Sequence, residues 1–172
     1  MSLKTFVLTV LTLCCATLGW GEEPKAVALK PNVIVKNLYA AHMAGKSPFF
    51  QSKDRVRVGQ FFTTPLAHLI WKDAVESKGE VGKLDFDPLY GSQDPQIKDF
   101  VIGDTGWGGD KKFGPDTGAV VQVTFKDSGD EKMISFQFLQ GKDQQWKIDD
   151  IRYRDLEDLR LKDLLSPKQS KQ

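Results

Sequence analysis

Two adjacent aspartates are the side chains of this sequence best suited to acid–base chemistry. Asp149 and Asp150 lie in an alternating segment that predicts a β-strand, so they point to opposite faces and one of them faces the covered side. A carboxylate buried there would have a raised pKa and could act as a general base. We favour a structural interpretation, in which Asp149 faces solvent and Asp150 pairs with Arg152, Arg154 or loop backbone.

The two histidines, His42 and His68, fall in segments that predict helices. Neither has a serine or cysteine nucleophile nearby in a recognisable motif, so the sequence names no catalytic triad. His42 follows Leu38 and Tyr39 by one helical turn, at the edge of an apolar stripe, and we interpret it as a hydrogen-bonded packing histidine. If the domain is an enzyme, His42 or Tyr39 would be the proton partner of Asp150.

The segment 83–95 is rich in oxygen-bearing side chains. It contains Asp85, Asp87, Tyr90, Gln93 and Asp94, together with prolines and a glycine. Clustered carboxylates suit a hard cation such as calcium, but their spacing does not match an EF-hand. Because aspartate before proline commonly forms turns, we predict a structured binding loop that holds no metal and no cofactor.

Trp107 is the one aromatic residue that we do not assign to the core. It lies among glycines, between Thr105 and Asp110, where an exposed ring would mark a contact surface for a partner. The glycine-rich link 106–118 precedes a strand rather than opening a helix. A phosphate-binding loop is therefore not predicted.

The first 21 residues have the layout of a secretion signal, with Lys4 before an uncharged apolar stretch and a cleavage site after Gly21. The stretch is too short to span a bilayer comfortably, and no second apolar run follows. Cys14 and Cys15 leave lipid attachment as an alternative, although neither follows a small residue. We expect a periplasmic or secreted protein, with a lipid-anchored envelope protein as the alternative.

The charge and cysteine content further limit the class of protein to which this chain can belong. The chain has 24 basic and 23 acidic residues, and only Lys4 among them belongs to the signal, so the mature part is close to neutral. Its charges are interspersed, which disfavours nucleic-acid binding. The mature part has no cysteine and thus no disulfide, and about 150 residues can bury an adequate core in one domain.

The hydrophobic period changes in the middle of the mature chain. Helical spacing predicts helices at 31–44, 54–62 and 64–77. A two-residue period predicts strands at 100–107, 119–126, 134–138 and 146–153, joined by hairpin turns, before a short helix at 156–165. We expect a leader at 22–30, a single α+β domain at 31–166 and a polar tail at 167–172.

Helices followed by a sheet that closes with the strand WKIDDI, residues 146–151, resemble the cone-shaped nuclear-transport-factor-2-like fold. The helix at 33–39, the loop 85–88 with Gln93 and Asp94, and the strand 146–153 are similar to a bacterial domain-of-unknown-function family of small secreted proteins and lipoproteins. The resemblance implies N-terminal helices packed on a curved antiparallel sheet around a pocket. It implies no activity, because one fold hosts many functions.

These features together favour an exported envelope protein that binds a partner protein or a small apolar ligand. The expected surface combines the mouth of the cone with the loop 85–94 and Trp107. The alternative is a small-molecule hydrolase or isomerase that uses Asp150 as its base. That alternative needs a carboxylate inside an enclosed apolar cavity.

Overall fold

The computed structural model describes residues 27–107 and 118–167. The predicted signal at 1–21 with Cys14 and Cys15, most of the leader, link residues 108–117 and the tail beyond 167 lie outside the described residues.

Three helices come first in the described chain, as the helical spacing predicts. They are α1 (Pro31–Met43), α2 (Arg55–Phe61) and α3 (Thr64–Glu76). A proline lies in the first turn of α1 and of α3, where its missing N–H removes no helical hydrogen bond. The Asp54 side chain accepts a hydrogen bond from the Arg57 backbone N–H and caps α2.

The second half of the chain is an open, five-stranded antiparallel sheet in the order β1-β2-β3-β4-β5. The strands are β1 (Ile97–Trp107), β2 (Gly118–Asp127), β3 (Asp130–Gln140), β4 (Trp146–Tyr153) and β5 (Leu159–Arg160), and α4 (Leu161–Leu165) follows. The α+β class and the order of helices and strands are thus confirmed.

The end of the chain differs from the expectation of one helix over 156–165. Arg160 and Leu159 pair with Arg152 and Tyr153 on the outer edge of β4, and helix begins only at Leu161. The edge of β4 offers unpaired backbone groups, and satisfying them outweighs the helix propensity of this charged segment.

The two faces of the sheet differ in polarity. Val121, Phe136 and Ile151 are aligned across three strands and are fully buried, whereas the neighbouring row of Gln122, Ser135 and Arg152 is polar. The apolar face packs against the helices. The helical side chains of this core include Ile34, Val35, Leu38, Val58, Phe61, Leu66, Ile70, Leu161 and Leu165.

Beta-bulges interrupt the ladder in two strands. The pairing of β1 with β2 shifts register twice, and the pairing of β3 with β4 shifts once, between Gln137 and Phe138. Bulges bend the strand that carries them and increase its twist. Within the described ranges, no helix is both long and apolar enough to cross a bilayer.

The polarity of the sheet predicts different costs for one substitution at two positions. Val123→Ala should lower the free energy of unfolding by about 2–3 kcal/mol, because it removes two methyl groups from a fully buried site. Val101→Ala, at a site that is 57% exposed, should lower it by less than about 1 kcal/mol. Urea unfolding measures both values, and equal losses would contradict the assigned faces.

Candidate functional site

A cleft of about 610 Å³ opens between the C-terminal half of α3 and the loops that follow it. We call it the α3 cleft. Ile70, Leu84 and Phe86 contribute apolar lining. Its carboxylates are Asp73, Glu80, Asp85, Asp87 and Asp94, and among its described lining residues there is no lysine, arginine or histidine.

A second concavity, of about 750 Å³, lies at the β1–β3 part of the sheet, and its charges balance. Its walls carry three acidic and three basic side chains. Lys126 pairs with Asp99 at 2.8 Å, and Lys132 pairs with Asp155 at 2.8 Å. The second concavity therefore has balanced charges, whereas the α3 cleft has an excess of negative charge.

Asp73 fixes one wall of the α3 cleft. Its two carboxylate oxygens accept hydrogen bonds from the backbone N–H groups of Lys83 and Leu84, at 2.9 and 3.3 Å. A Cβ at Gly82 would lie 2.6 Å from one of those oxygens, so this close approach requires glycine. Asp73 is thereby occupied in joining α3 to the loop, whereas Glu80, Asp85 and Asp94 are exposed.

Asp87, another lining residue of the cleft, begins a closed turn that runs to Ser92. The Asp87 N–H donates to the Ser92 carbonyl, and the Gly91 N–H donates to the Asp87 carbonyl. Asp87 Oδ1 also accepts the Leu89 N–H at 2.9 Å, as expected for an aspartate that precedes a proline in a turn. Gly91 has φ +65°, and a Cβ there would lie 3.2 Å from the Tyr153 ring.

Two buried tyrosines anchor this turn. Tyr39 Oη donates to the Leu89 carbonyl at 2.7 Å, and Tyr153 Oη donates to the Pro88 carbonyl at 2.9 Å. Burial raises the pKa of both phenols well above the usual value, so both remain neutral donors. Tyr39 therefore positions the loop and does not contact Asp150.

Tyr90 packs inside this region rather than lining the cleft. Its ring makes edge contacts with Tyr39, His42 and Phe125, with centroids 5.7 to 6.1 Å apart. Burial, followed by the negative charge of Asp87, raises the pKa of its phenol. Tyr90 thus contributes packing beneath the turn.

His42 forms a polar chain with two other side chains. Its Nε2 lies 2.8 Å from Asp87 Oδ2, and its Nδ1 lies 3.0 Å from Ser47 Oγ. Ser47 has no local sequence signature of a functional residue, because it belongs to no nucleophile motif. The sequence feature that points to this region is Gly45, a glycine at the end of a predicted helix. Its φ of +68° turns the chain back, so that residue 47 lies beside the end of α1.

The aspartate pair lies at the bulge of β4. Asp150 pairs with Gln137, but Ile148 pairs with Phe138, so Asp149 is the extra residue. Asp149 is only 5% exposed and accepts hydrogen bonds from Thr63 Oγ1 and Lys162 Nζ. The expectation that Asp149 faces solvent was wrong, because a bulge breaks the simple alternation of faces.

Asp150 is fully buried and anchors the chain end. Its Oδ2 accepts from the Arg160 guanidinium at 2.7 and 2.8 Å, and its Oδ1 accepts from the backbone N–H groups of Ile151 and Lys162. Burial raises its pKa, against the opposing effects of these hydrogen bonds and of Arg160. A structural ion pair was expected, but with Arg152, Arg154 or loop backbone; the cationic partner is Arg160.

The structure brings together four of the six predicted binding residues. Asp85, Asp87, Gln93 and Asp94 all line the α3 cleft, and Tyr90 lies behind it. Trp107 is 68% exposed and contacts Trp146, but it ends β1, whose 11 residues extend about 30 Å. Trp107 is therefore remote from the cleft.

The three weak catalytic candidates have separate partners. Asp150 binds Arg160, His42 binds Asp87 and Ser47, and Tyr39 binds the Leu89 carbonyl. In the described part of the chain, no group of three or more histidine, cysteine, aspartate or glutamate side chains is placed to hold a metal ion.

Comparisons of the chain with models of known families, with curated proteins and with solved structures found no match.

The partners of Asp150 predict the effect of removing its carboxylate. Asp150→Ala should lower the free energy of unfolding by about 2–4 kcal/mol, because it leaves two backbone donors and the partly exposed Arg160 guanidinium without their acceptor. Asp150→Asn keeps an oxygen for the backbone donors and should cost clearly less. Urea unfolding tests this, with exposed Asp104→Ala as control. A loss below about 1 kcal/mol for Asp150→Ala would exclude the anchoring role.

Gly91 and Gly45 form a matched pair for testing the turn. Both have positive φ, +65° and +68°, so alanine is strained at either position. Only Gly91→Ala also presses a Cβ against the Tyr153 ring, because nothing lies within 4 Å of a Cβ at Gly45. Gly91→Ala should therefore lower the melting temperature more than Gly45→Ala. Equal shifts would show that the tight contact carries no free energy.

Proposed function

We propose that this domain is an exported binding protein whose α3 cleft receives a basic segment of a partner protein. The observation that carries the proposal is the lining of the cleft. Five carboxylates surround apolar side chains, with no basic side chain among the described lining residues. In a chain that is close to neutral overall, this excess of one sign is local.

The spacing of the carboxylates favours organic cations. A small metal ion needs converging ligands, and among the described residues no group of three or more acidic, histidine or cysteine side chains is placed to hold one. Lysine and arginine side chains combine apolar stems with charged ends. Their stems would pack on Ile70, Leu84 and Phe86, and their charged ends would reach Asp85 and Asp94 at the rim.

Two exposed apolar side chains support a protein partner over a small apolar ligand. Phe50 is 55% exposed and Val81 is 78% exposed, and both line the cleft. Aromatic and aliphatic side chains beside a polar rim are typical of protein interfaces. A wholly apolar ligand would instead desolvate the rim carboxylates without pairing them, which is unfavourable.

The cone-shaped, nuclear-transport-factor-2-like architecture and the exported location belong to the same proposal. Bulges in β1 and β4, which bend strands, support a curved sheet. The secretion-signal layout of residues 1–21 supports export. The apolar face of the sheet is filled by core side chains, and Asp150 is neutralised by Arg160, so the alternative of a pocket-carboxylate enzyme gains no support.

A synthetic peptide of alternating leucine and arginine is a suitable probe of the cleft. Titration calorimetry should detect binding that weakens as sodium chloride is raised. Asp85→Asn combined with Asp94→Asn should weaken binding about tenfold, because two exposed ion pairs of at most about 1 kcal/mol each are lost.

The control carries the same change of net charge outside the cleft, in Asp104→Asn combined with Asp163→Asn. It should bind the peptide like the wild type, as should Trp107→Ala. Equal weakening in both double variants would show non-specific attraction and would reject the cleft as the binding site. Absence of binding at low salt would reject the basic ligand.

A further inference from the structure

Three side chains beside the α3 cleft have the relationship of a nucleophile, a base and an orienting carboxylate. Ser47 Oγ lies 3.0 Å from His42 Nδ1, and His42 Nε2 lies 2.8 Å from Asp87 Oδ2. From these contacts we propose that Ser47, His42 and Asp87 form a hydrolytic centre that cleaves carboxylic esters with an apolar acyl group. This activity goes beyond the proposed binding function and does not depend on it.

The hydrogen bonds define the proton positions in a neutral imidazole. Asp87 Oδ2 accepts the Nε2–H, which leaves the Nδ1 lone pair to accept the Ser47 hydroxyl proton. Asp87 is itself held, since its Oδ1 accepts the Leu89 N–H. A base oriented by a third group and within reach of a hydroxyl is the arrangement that activates serine on unrelated folds.

The position of the centre is consistent with access by substrate. His42 and Asp87 side chains are about one-fifth exposed, at 20% and 19%, and Ser47 is half-buried. Asp87 also lines the α3 cleft, so the centre adjoins an open space. Partial burial strengthens the His42–Asp87 interaction without closing the site.

The neighbouring side chains favour an apolar acyl group. Phe50, three residues after Ser47, is exposed and lines the cleft, and Met43, next to His42, is also exposed. The Tyr90 ring lies 6.1 Å from the His42 ring, centroid to centroid. Phe50 and Met43 thus offer apolar contacts on the chain segments that carry the nucleophile and the base, and Tyr90 packs against the ring of the base.

The reaction balances with water as the only co-reactant. Ser47 Oγ bonds to the acyl carbon while its proton passes to His42 Nδ1, and the ester C–O bond then breaks as the leaving alcohol takes that proton. Water next attacks the acyl carbon and gives a proton to Nδ1. The bond between Oγ and the acyl carbon breaks, and the proton returns to Oγ. Asp87 Oδ2 keeps the Nε2–H hydrogen bond that orients the imidazole during these steps.

The test is covalent labelling of the full domain with a fluorophosphonate, together with hydrolysis of p-nitrophenyl butyrate. Mass spectrometry should find the label on Ser47, and Ser47→Ala should abolish both labelling and turnover. His42→Gln should slow both at least about a hundredfold, since a positioned base contributes at least that much. Ser52→Ala, at an exposed serine, should behave like the wild type.

Ser47 Oγ also accepts the Phe49 N–H at 3.2 Å, so Ser47→Ala could disturb the fold. Circular dichroism checks this, and His42→Gln tests the centre with Ser47 still present. A folded wild type that takes no label at Ser47 would overturn the proposal, as would labelling that His42→Gln leaves unchanged. Ser47→Ala should still bind the leucine–arginine peptide like the wild type, because Ser47 does not line the α3 cleft, and this separates the hydrolytic activity from peptide binding.

Discussion

Two buried tyrosine hydroxyls hold the turn on which both functional proposals depend. Tyr39 on α1 donates to the Leu89 carbonyl, and Tyr153 on β4 donates to the Pro88 carbonyl. The turn is therefore bonded both to a helix and to the sheet. A buried carbonyl without a donor is costly, and these hydroxyls remove that cost. This turn holds Asp87 where its side chain contacts His42 and also lines the α3 cleft.

The buried carboxylates of β4 serve stability because each is fully paired. Asp149 and Asp150 lie at the bulge of β4. Phe62 bridges to Ile148 on one side of them, and β5 pairs with the end of β4 on the other. Their cationic partners, Arg160 and Lys162, lie at the start of α4. These ion pairs attach the C-terminal segment to the domain. The attached segment also covers the edge of β4, which would otherwise be open.

The sequence predicts elements well where local periodicity decides them, as in α1 and in the strand around Val121. It does not predict Leu159 and Arg160 as a strand, because their pairing depends on an edge formed earlier in the chain. The bulge at Asp149 has no local signature either. The part of the cleft lined by residues between Asp85 and Asp94 could be named from the sequence, since turn residues and carboxylates are contiguous there, but the part lined by α3 and the loop after it could not.

The His42 contacts could not be read from the sequence, because Asp87 is 45 residues away and reaches His42 only after the turn docks. This docking also gives the carboxylates of the cleft different roles. Asp87 Oδ2 faces His42 and its Oδ1 faces the Leu89 N–H, so its charge is already engaged. A cationic ligand must therefore be held mainly by Glu80, Asp85 and Asp94, the exposed carboxylates of the cleft. Occupation of the cleft and the proton relay at His42 are thus compatible in one molecule.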